Sequence, residues 1–256
     1  GLKARKSWFM FNDLIVCMGA GINSSEGLPV TTSVNQSYMN GDAIIKTSGG
    51  EKLAEDQQLL NNPAWVLHDS IGYLFPEGGK LNLETKEVEG SWNRVALRYP
   101  DEKITEDIFK LWFEHGMNPN NRSYEYILVP NANRTVMERM ERQLPFEIKN
   151  RKNRQEVISS SGEMAGIVFY ESGKSEAFGG FEADRACVIM LKKQADDLHL
   201  SVADPTQLLE EVNITFSRKL SGENAKIQNG KTRVKIHLPD DSEAGKTATV
   251  KLTARQ

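Results

Sequence analysis

Four histidines, at positions 68, 115, 199 and 237, and two cysteines, at 17 and 187, are the residues of this 256-residue chain best suited to metal or nucleophilic chemistry. Their spacing argues against both. No His-x-His or His-Glu-x-x-His pair brings two imidazoles to one face, so the histidines read as strand or loop residues. Cys17 lies in Leu14-Ile15-Val16-Cys17-Met18 and Cys187 in Ala186-Cys187-Val188-Ile189-Met190. Both read as buried strand thiols, with a disulfide between them as the alternative. Gly19-Ala20-Gly21 follows a strand, but it lacks the third glycine and the helix of a phosphate cradle. No Gly-x-Ser-x-Gly elbow is present. Asp196-Asp197 and Asp240-Asp241-Ser242-Glu243 could touch calcium but read as solvated turns. The basic run Arg134, Arg139, Arg142, Lys149, Arg151, Lys152 and Arg154 could face a polyanion. Glu138 and Glu141 alternate with its arginines, as on an ordinary solvated helix face.

The elements that would position these groups are short strands. Residues 7–18 are aromatic and β-branched, broken only by Asn12-Asp13, and predict a hairpin. Further strands are expected at 30–38, 43–45, 65–68, 71–75, 81–88, 109–115, 124–129, 146–148, 167–170, 186–191, 199–202, 213–218, 232–238 and 247–253. Gly, Asn and Pro separate them at roughly ten-residue intervals, the pattern of an antiparallel sandwich or barrel. One segment differs. Val136, Met140 and Leu144 recur at helical spacing until Pro145, predicting a helix over 133–144. A short helix is also conceivable at 52–60. The polar run at 149–154 is the candidate domain junction, and the expected domains are 1–145 and 146–256. Trp8, Phe9, Phe11, Trp65, Tyr73 and Phe75 are the expected core of the first, and Trp112 also reads as core, with stacking on sugar rings as the alternative.

Composition narrows the class. Thirty-two Lys and Arg stand against 35 Asp and Glu, a net charge of −3, which argues against a dedicated nucleic-acid binder. With 39% hydrophobic and 26% charged residues, the chain is in the globular rather than the disordered range. No apolar run reaches the ~18 residues of a membrane helix.

Three blocks and a later motif resemble one family. The first is Lys6-Ser7-Trp8-Phe9-Met10-Phe11-Asn12-Asp13-Leu14-Ile15-Val16-Cys17-Met18-Gly19-Ala20-Gly21-Ile22, continued by Thr31-Thr32-Ser33-Val34-Asn35-Gln36. Trp65-Val66-Leu67-His68-Asp69-Ser70-Ile71-Gly72-Tyr73-Leu74-Phe75 and Tyr124-Glu125-Tyr126-Ile127-Leu128-Val129-Pro130-Asn131 follow, then Ser201-Val202-Ala203-Asp204-Pro205-Thr206-Gln207. Together they resemble polysaccharide lyase family 8, which acts on hyaluronan, chondroitin and xanthan, and within it the chondroitin AC type.

The resemblance implies an all-β chain: a portion of an antiparallel β-supersandwich, then a small C-terminal β-sandwich. It implies cleavage of uronic-acid polymers such as chondroitin sulfate and hyaluronan by β-elimination, in a secreted or periplasmic bacterial protein. A tyrosine, a histidine, an asparagine and an arginine carry that chemistry on an α/α toroid, and any calcium would also bind upstream. No run of long amphipathic helices is present here. The chain, opening on Gly1-Leu2-Lys3, is therefore expected to begin partway through the supersandwich and to act with its own N-terminal helical domain. No catalytic role passes to Tyr38, Tyr73, His68 or His115, no metal site is expected, the substrate-binding residues stay open, and no cofactor, nucleic acid or membrane is expected. A stand-alone carbohydrate-binding sandwich and a structural or adhesion-type domain are the alternatives.

Overall fold

Asn12 takes a left-handed backbone (φ 49°), which closes a two-residue loop between β1 (Lys3–Phe11) and β2 (Leu14–Asn23). The computed structural model describes residues 1–254, and every strand pairing among them is antiparallel. The chain divides into two units, Gly1–Gln143 and the residues from Leu144 onward.

In the first unit, β3 (Pro29–Tyr38), β4 (Ile44–Thr47), β5 (Gly50–Leu53) and β6 (Gln57–Asn61) follow the hairpin. Then come β7 (Trp65–His68), β8 (Ile71–Leu74), β9 (Lys80–Gly90), β10 (Ile104–Met117), β11 (Arg122–Pro130) and the helix α1 (Arg134–Arg142). They make a seven-stranded sheet, β1-β2-β11-β8-β7-β4-β5, and a four-stranded one, β3-β10-β9-β6. Strand alternation sends Ile45, Val66 and Tyr73 from the larger sheet into one buried cluster with Leu81, Leu83, Phe109 and Leu111 from the smaller. The Asn133 side chain caps α1 by accepting from the Val136 amide (3.0 Å). The helix packs on β7 and β8 through buried Met137. Gly72 permits this approach, because a β-carbon there would stand 2.1 Å from the Met137 sulfur.

The second unit contains β12 (Phe146–Asn150), β13 (Arg154–Ser159), β14 (Met164–Phe169), β15 (Gly173–Ser175), β16 (Phe181–Ala183) and β17 (Cys187–Gln194). It continues with β18 (Asp197–Ala203), β19 (Glu211–Phe216), β20 (Leu220–Gly222), β21 (Ala225–Gln228), β22 (Lys231–His237) and β23 (Ala248–Ala254). These form a seven-stranded sheet, β12-β13-β14-β17-β18-β23-β20, and a five-stranded one, β15-β16-β19-β22-β21. Ile167, Ile189, Leu200 and Val202 from the first meet Phe181, Ile214, Phe216 and Val234 from the second in one core. The all-β architecture expected from the sequence is the observed one.

Three expectations change. Residues 52–60 form no helix: Leu53 ends β5, Asp56 takes φ 41°, and β6 pairs with β9, so cross-strand pairing overrides local propensity. The polar run at 149–154 is the tip of a hairpin, where the end of β12 passes into β13 through a turn closed by mutual backbone bonds between Arg151 and Arg154. Trp8 is not core but 58% exposed. It shares a cross-strand row with buried Cys17 and Tyr126, yet β1 is the terminal strand of its sheet, and the facing sheet has only four strands to cover seven.

Candidate functional site

His68 ends β7 at 1% exposure, and its ring stacks on Phe109 at 4.3 Å. Its Nε2 accepts from the Asn40 amide (3.1 Å), while the Asn40 side chain donates to Asp69 (2.8 Å). Asp69 and Ser70 both have positive φ, which turns the chain tightly into β8. Tyr73 on that strand is buried, and its hydroxyl accepts from Asn35 Nδ2 (2.5 Å). Burial pushes the Tyr73 hydroxyl up, with the Asn35 bond pulling weakly the other way. His115 shares a hydrogen bond with Thr32 Oγ1 (2.8 Å) and sits among the rings of Phe113 and Tyr124. These groups are polar pins through an apolar core. Each is spent on a neighbour, and none has the solvent access that acid–base catalysis on a polymer requires.

Both histidines are held below their ordinary 6.5 chiefly by burial, opposed by Asp69 at His68 and by Glu114 at His115; Lys6 and Arg122 lower His115 further. The sign follows directly. Above about 6.5 both folded and unfolded imidazoles are neutral, and below it the unfolded chain takes up protons first. Stability of the first unit is therefore expected to be full near pH 7.5 and to fall as pH drops through the window below 6.5. Urea midpoints followed by tryptophan fluorescence check this, since all four tryptophans lie in residues 1–112. A midpoint that stays flat from pH 7.5 to 5 would refute it.

The thiols are inert. Cys17 and Cys187 are free and buried, and burial raises both, Cys187 to about 12. The basic run is largely engaged in ion pairs: Arg134 meets Glu51 (2.9 Å), Arg142 meets Glu138 (3.8 Å), and Lys149 and Arg154 approach the wholly buried Glu156 at 3.8 and 3.0 Å. The Arg154–Glu156 contact is Coulombic, not an aligned hydrogen bond. Trp65 is fully buried, and its indole donates to Glu141 (2.9 Å). Trp112 is half-buried with Lys110 over its ring, and Trp92 is exposed. Among the described residues, no three His, Cys, Asp or Glu side chains converge as metal ligands would. Among the described residues, no helix is long and apolar enough to cross a membrane.

The block at residues 201–207 has a structural centre in Asp204. Its carboxylate accepts from the amides of Thr206, Leu208 and Leu209 and from the Thr206 hydroxyl, at 2.7–2.9 Å. Burial alone would raise this carboxyl, but those bonds outweigh it and hold the group below the usual range. This cradle ties the end of β18 to the approach of β19.

A family model described as "Polysaccharide lyase family 8, super-sandwich domain" matches residues 1–141. The chain belongs to polysaccharide lyase family 8. A second model, that family's C-terminal beta-sandwich domain, matches residues 148–213. Chondroitinase-AC of Pedobacter heparinus is 35% identical over 98% of this chain and 35% of its own length. Xanthan lyase of a Bacillus species is 31% identical, over 88% of this chain and 26% of its own. Hyaluronate lyase of Thermasporomyces composti is 27% identical, over 86% and 29%. Among solved structures, a chondroitinase AC lyase superposes with a TM-score of 0.86 at 33% identity, covering 97% of this chain and 36% of that one. A Paenibacillus xanthan lyase gives 0.88 at 27%, covering 100% and 26%. The chain thus spans about a quarter to a third of the length of these lyases.

In this family 8 chain most residues of the sequence blocks that carry the family resemblance are packing features. They close the hairpin at Asn12, hold Trp65, His68 and Tyr73 in the core, and build the Asp204 turn. A row of exposed cations lies elsewhere, on β22, where Lys231, Arg233 and Lys235 alternate with buried Thr232, Val234 and Ile236. That alternation is legible in Lys-Thr-Arg-Val-Lys-Ile-His, although strand pairing alone shows what lies beside it.

Proposed function

We propose that this chain is the β-domain portion of a lyase that cleaves uronic-acid-containing glycosaminoglycans, chondroitin sulfate and hyaluronan, by β-elimination. The observation that carries the reading is the succession of the family's two β-domains in one chain, with 35% identity to a chondroitinase-AC across 98% of it. In the reaction a base removes the proton at C5 of the uronate, the C4–O bond breaks, and an acid protonates the leaving oxygen. The step needs a donor that neutralises the developing charge on the uronate carboxylate. His68, Tyr73 and His115 are all committed to core contacts, so the base and acid belong to a helical domain outside this chain. The β-units support that domain and wall its cleft. A secreted or periplasmic bacterial location suits a polymer too large to enter a cell uncut.

The test is the rise in ultraviolet absorbance from the unsaturated uronate, with chondroitin sulfate and hyaluronan assayed separately. The 256-residue chain is expected to give no turnover, because loss of even one preorganised donor removes about 10²–10³ in rate. The same chain joined to the helical region of its own protein is expected to cleave. Turnover by the chain alone, or none by the longer protein, would overturn the reading. The exposed rings of Trp8 and Trp92 favour a second reading, a stand-alone carbohydrate-binding sandwich.

A further inference from the structure

The outer face of the five-stranded sheet concentrates cations along β21 and β22. Arg233 of β22 stands directly opposite Lys226 of β21, and Lys231 opposite Gln228. Like charges facing each other across a strand pair oppose folding, so this pairing is maintained against a local penalty. Three of the acids nearby are engaged elsewhere, while exposed Glu176 shares an adjoining groove with Lys231. Glu211 pairs with Lys235 (2.6 Å), Glu182 with Lys174 (3.8 Å), and Asp184 accepts from the backbone and side-chain amides of Asn213 (2.9 and 2.8 Å). Lys226, Lys231 and Arg233 have no described carboxylate at ion-pair distance.

Arg233 is also positioned. Asp184 fixes the Asn213 amide so that its oxygen accepts from Arg233 Nε (3.1 Å). That bond holds the guanidinium by one edge and leaves its two terminal nitrogens as a fork, the geometry that grips a carboxylate or sulfate with two parallel hydrogen bonds. The fork opens on a groove of 290 Å³ lined by Thr215, Lys226, Gln228, Asn229, Lys231 and Arg233. Such a volume is at the small end of ligand clefts. Two lysines supply point charges beside the fork, and Gln228 and Asn229 line the same groove with amide groups.

We propose that this groove is an accessory binding site for an acidic polysaccharide, with Arg233 gripping a carboxylate or sulfate and Lys226 and Lys231 flanking it. The proposal rests on the reading of the substrate as a uronic-acid polymer, and its chemistry is that of a polyanion carrying regularly spaced acidic groups. The site holds the polymer to the second unit without touching the reacting bond.

The experiment titrates the 256-residue chain with hexasaccharides of chondroitin sulfate, hyaluronan and neutral maltose, following amide shifts at residues 213–215 and 226–233. The acidic hexasaccharides are expected to bind and the neutral one not to. Hyaluronan, which carries carboxylates only, separates carboxylate from sulfate recognition. Arg233→Gln and the double variant Lys226→Gln/Lys231→Gln are each expected to weaken binding about tenfold. All three side chains are exposed, so thermal unfolding at or above the parent temperature verifies that the variants fold. Absent binding, equal binding of the neutral sugar, or affinity indifferent to both variants would overturn the site. Turnover by the longer protein is scored separately. Turnover without binding by the chain removes the accessory site alone, and binding without turnover removes the lyase reading alone.

Discussion

Trp65→Ala is expected to lower the unfolding free energy of the first unit by about 3–5 kcal/mol, the range for large buried aromatics. The ring is wholly buried on β7, between Lys46 of β4 and Leu74 of β8 in register, on the strand against which α1 packs. Truncation would open a cavity that neighbouring β-strands, fixed by their ladders, cannot close. It would also remove the indole donor from Glu141, whose exposed carboxylate returns to water at little penalty. Trp65→Phe keeps most of the volume and loses the hydrogen bond, so it is expected to fall between. Trp8→Ala is the control. That ring is 58% exposed, and its loss is expected to cost under about 1 kcal/mol. Urea unfolding monitored by the remaining tryptophans measures all three variants. Equal losses at positions 8 and 65 would contradict the burial assigned to each.

Asp204→Ala is expected to destabilise the second unit by about 3 kcal/mol, because one buried carboxylate satisfies three backbone amides and a hydroxyl. Alanine leaves those donors with nothing in the protein to bind. Asp204→Asn retains one acceptor oxygen and is expected to lose less. Hydrogen exchange at the amides of residues 206, 208 and 209 reads the effect locally and should quicken in both variants. The pH signature differs from that of the histidines. Because the folded carboxyl is depressed, its contribution is complete above the ordinary carboxylate value and disappears only as pH falls through the lower folded value. Between pH 5 and 6.5 the His68 and His115 contribution declines while the Asp204 cradle stays intact. Exchange at residues 206–209 that accelerates in that window would show the carboxylate is not the controlling group.

The fold class was open to sequence reasoning because its signals are local. Asn12-Asp13 between two aromatic, β-branched runs dictates a hairpin, and Val136 and Met140 ahead of Pro145 dictate a short helix. The helix proved to be Arg134–Arg142, trimmed at both ends by its Asn133 cap and by the break before Pro145. Family membership came through whole blocks of residues rather than through isolated polar ones.

What the sequence by itself determined, then, was which residues alternate, turn and cap; what only the tertiary structure decided was which face of each strand meets another layer. Trp8 and Trp65 sit in equally apolar strands, yet one is exposed and the other wholly buried, because α1 packs on the strand that carries Trp65 while Trp8 lies on the terminal strand of a seven-stranded sheet faced by only four. Residues 149–154 carry the polarity of a linker and form a turn, because β12 and β13 pair on either side. Lys226 and Arg233 are seven positions apart in the chain and become direct neighbours only through the β21–β22 register. Burial and cross-strand proximity are properties of pairing between distant segments, and a period-two pattern fixes the two faces of a strand without fixing what covers either.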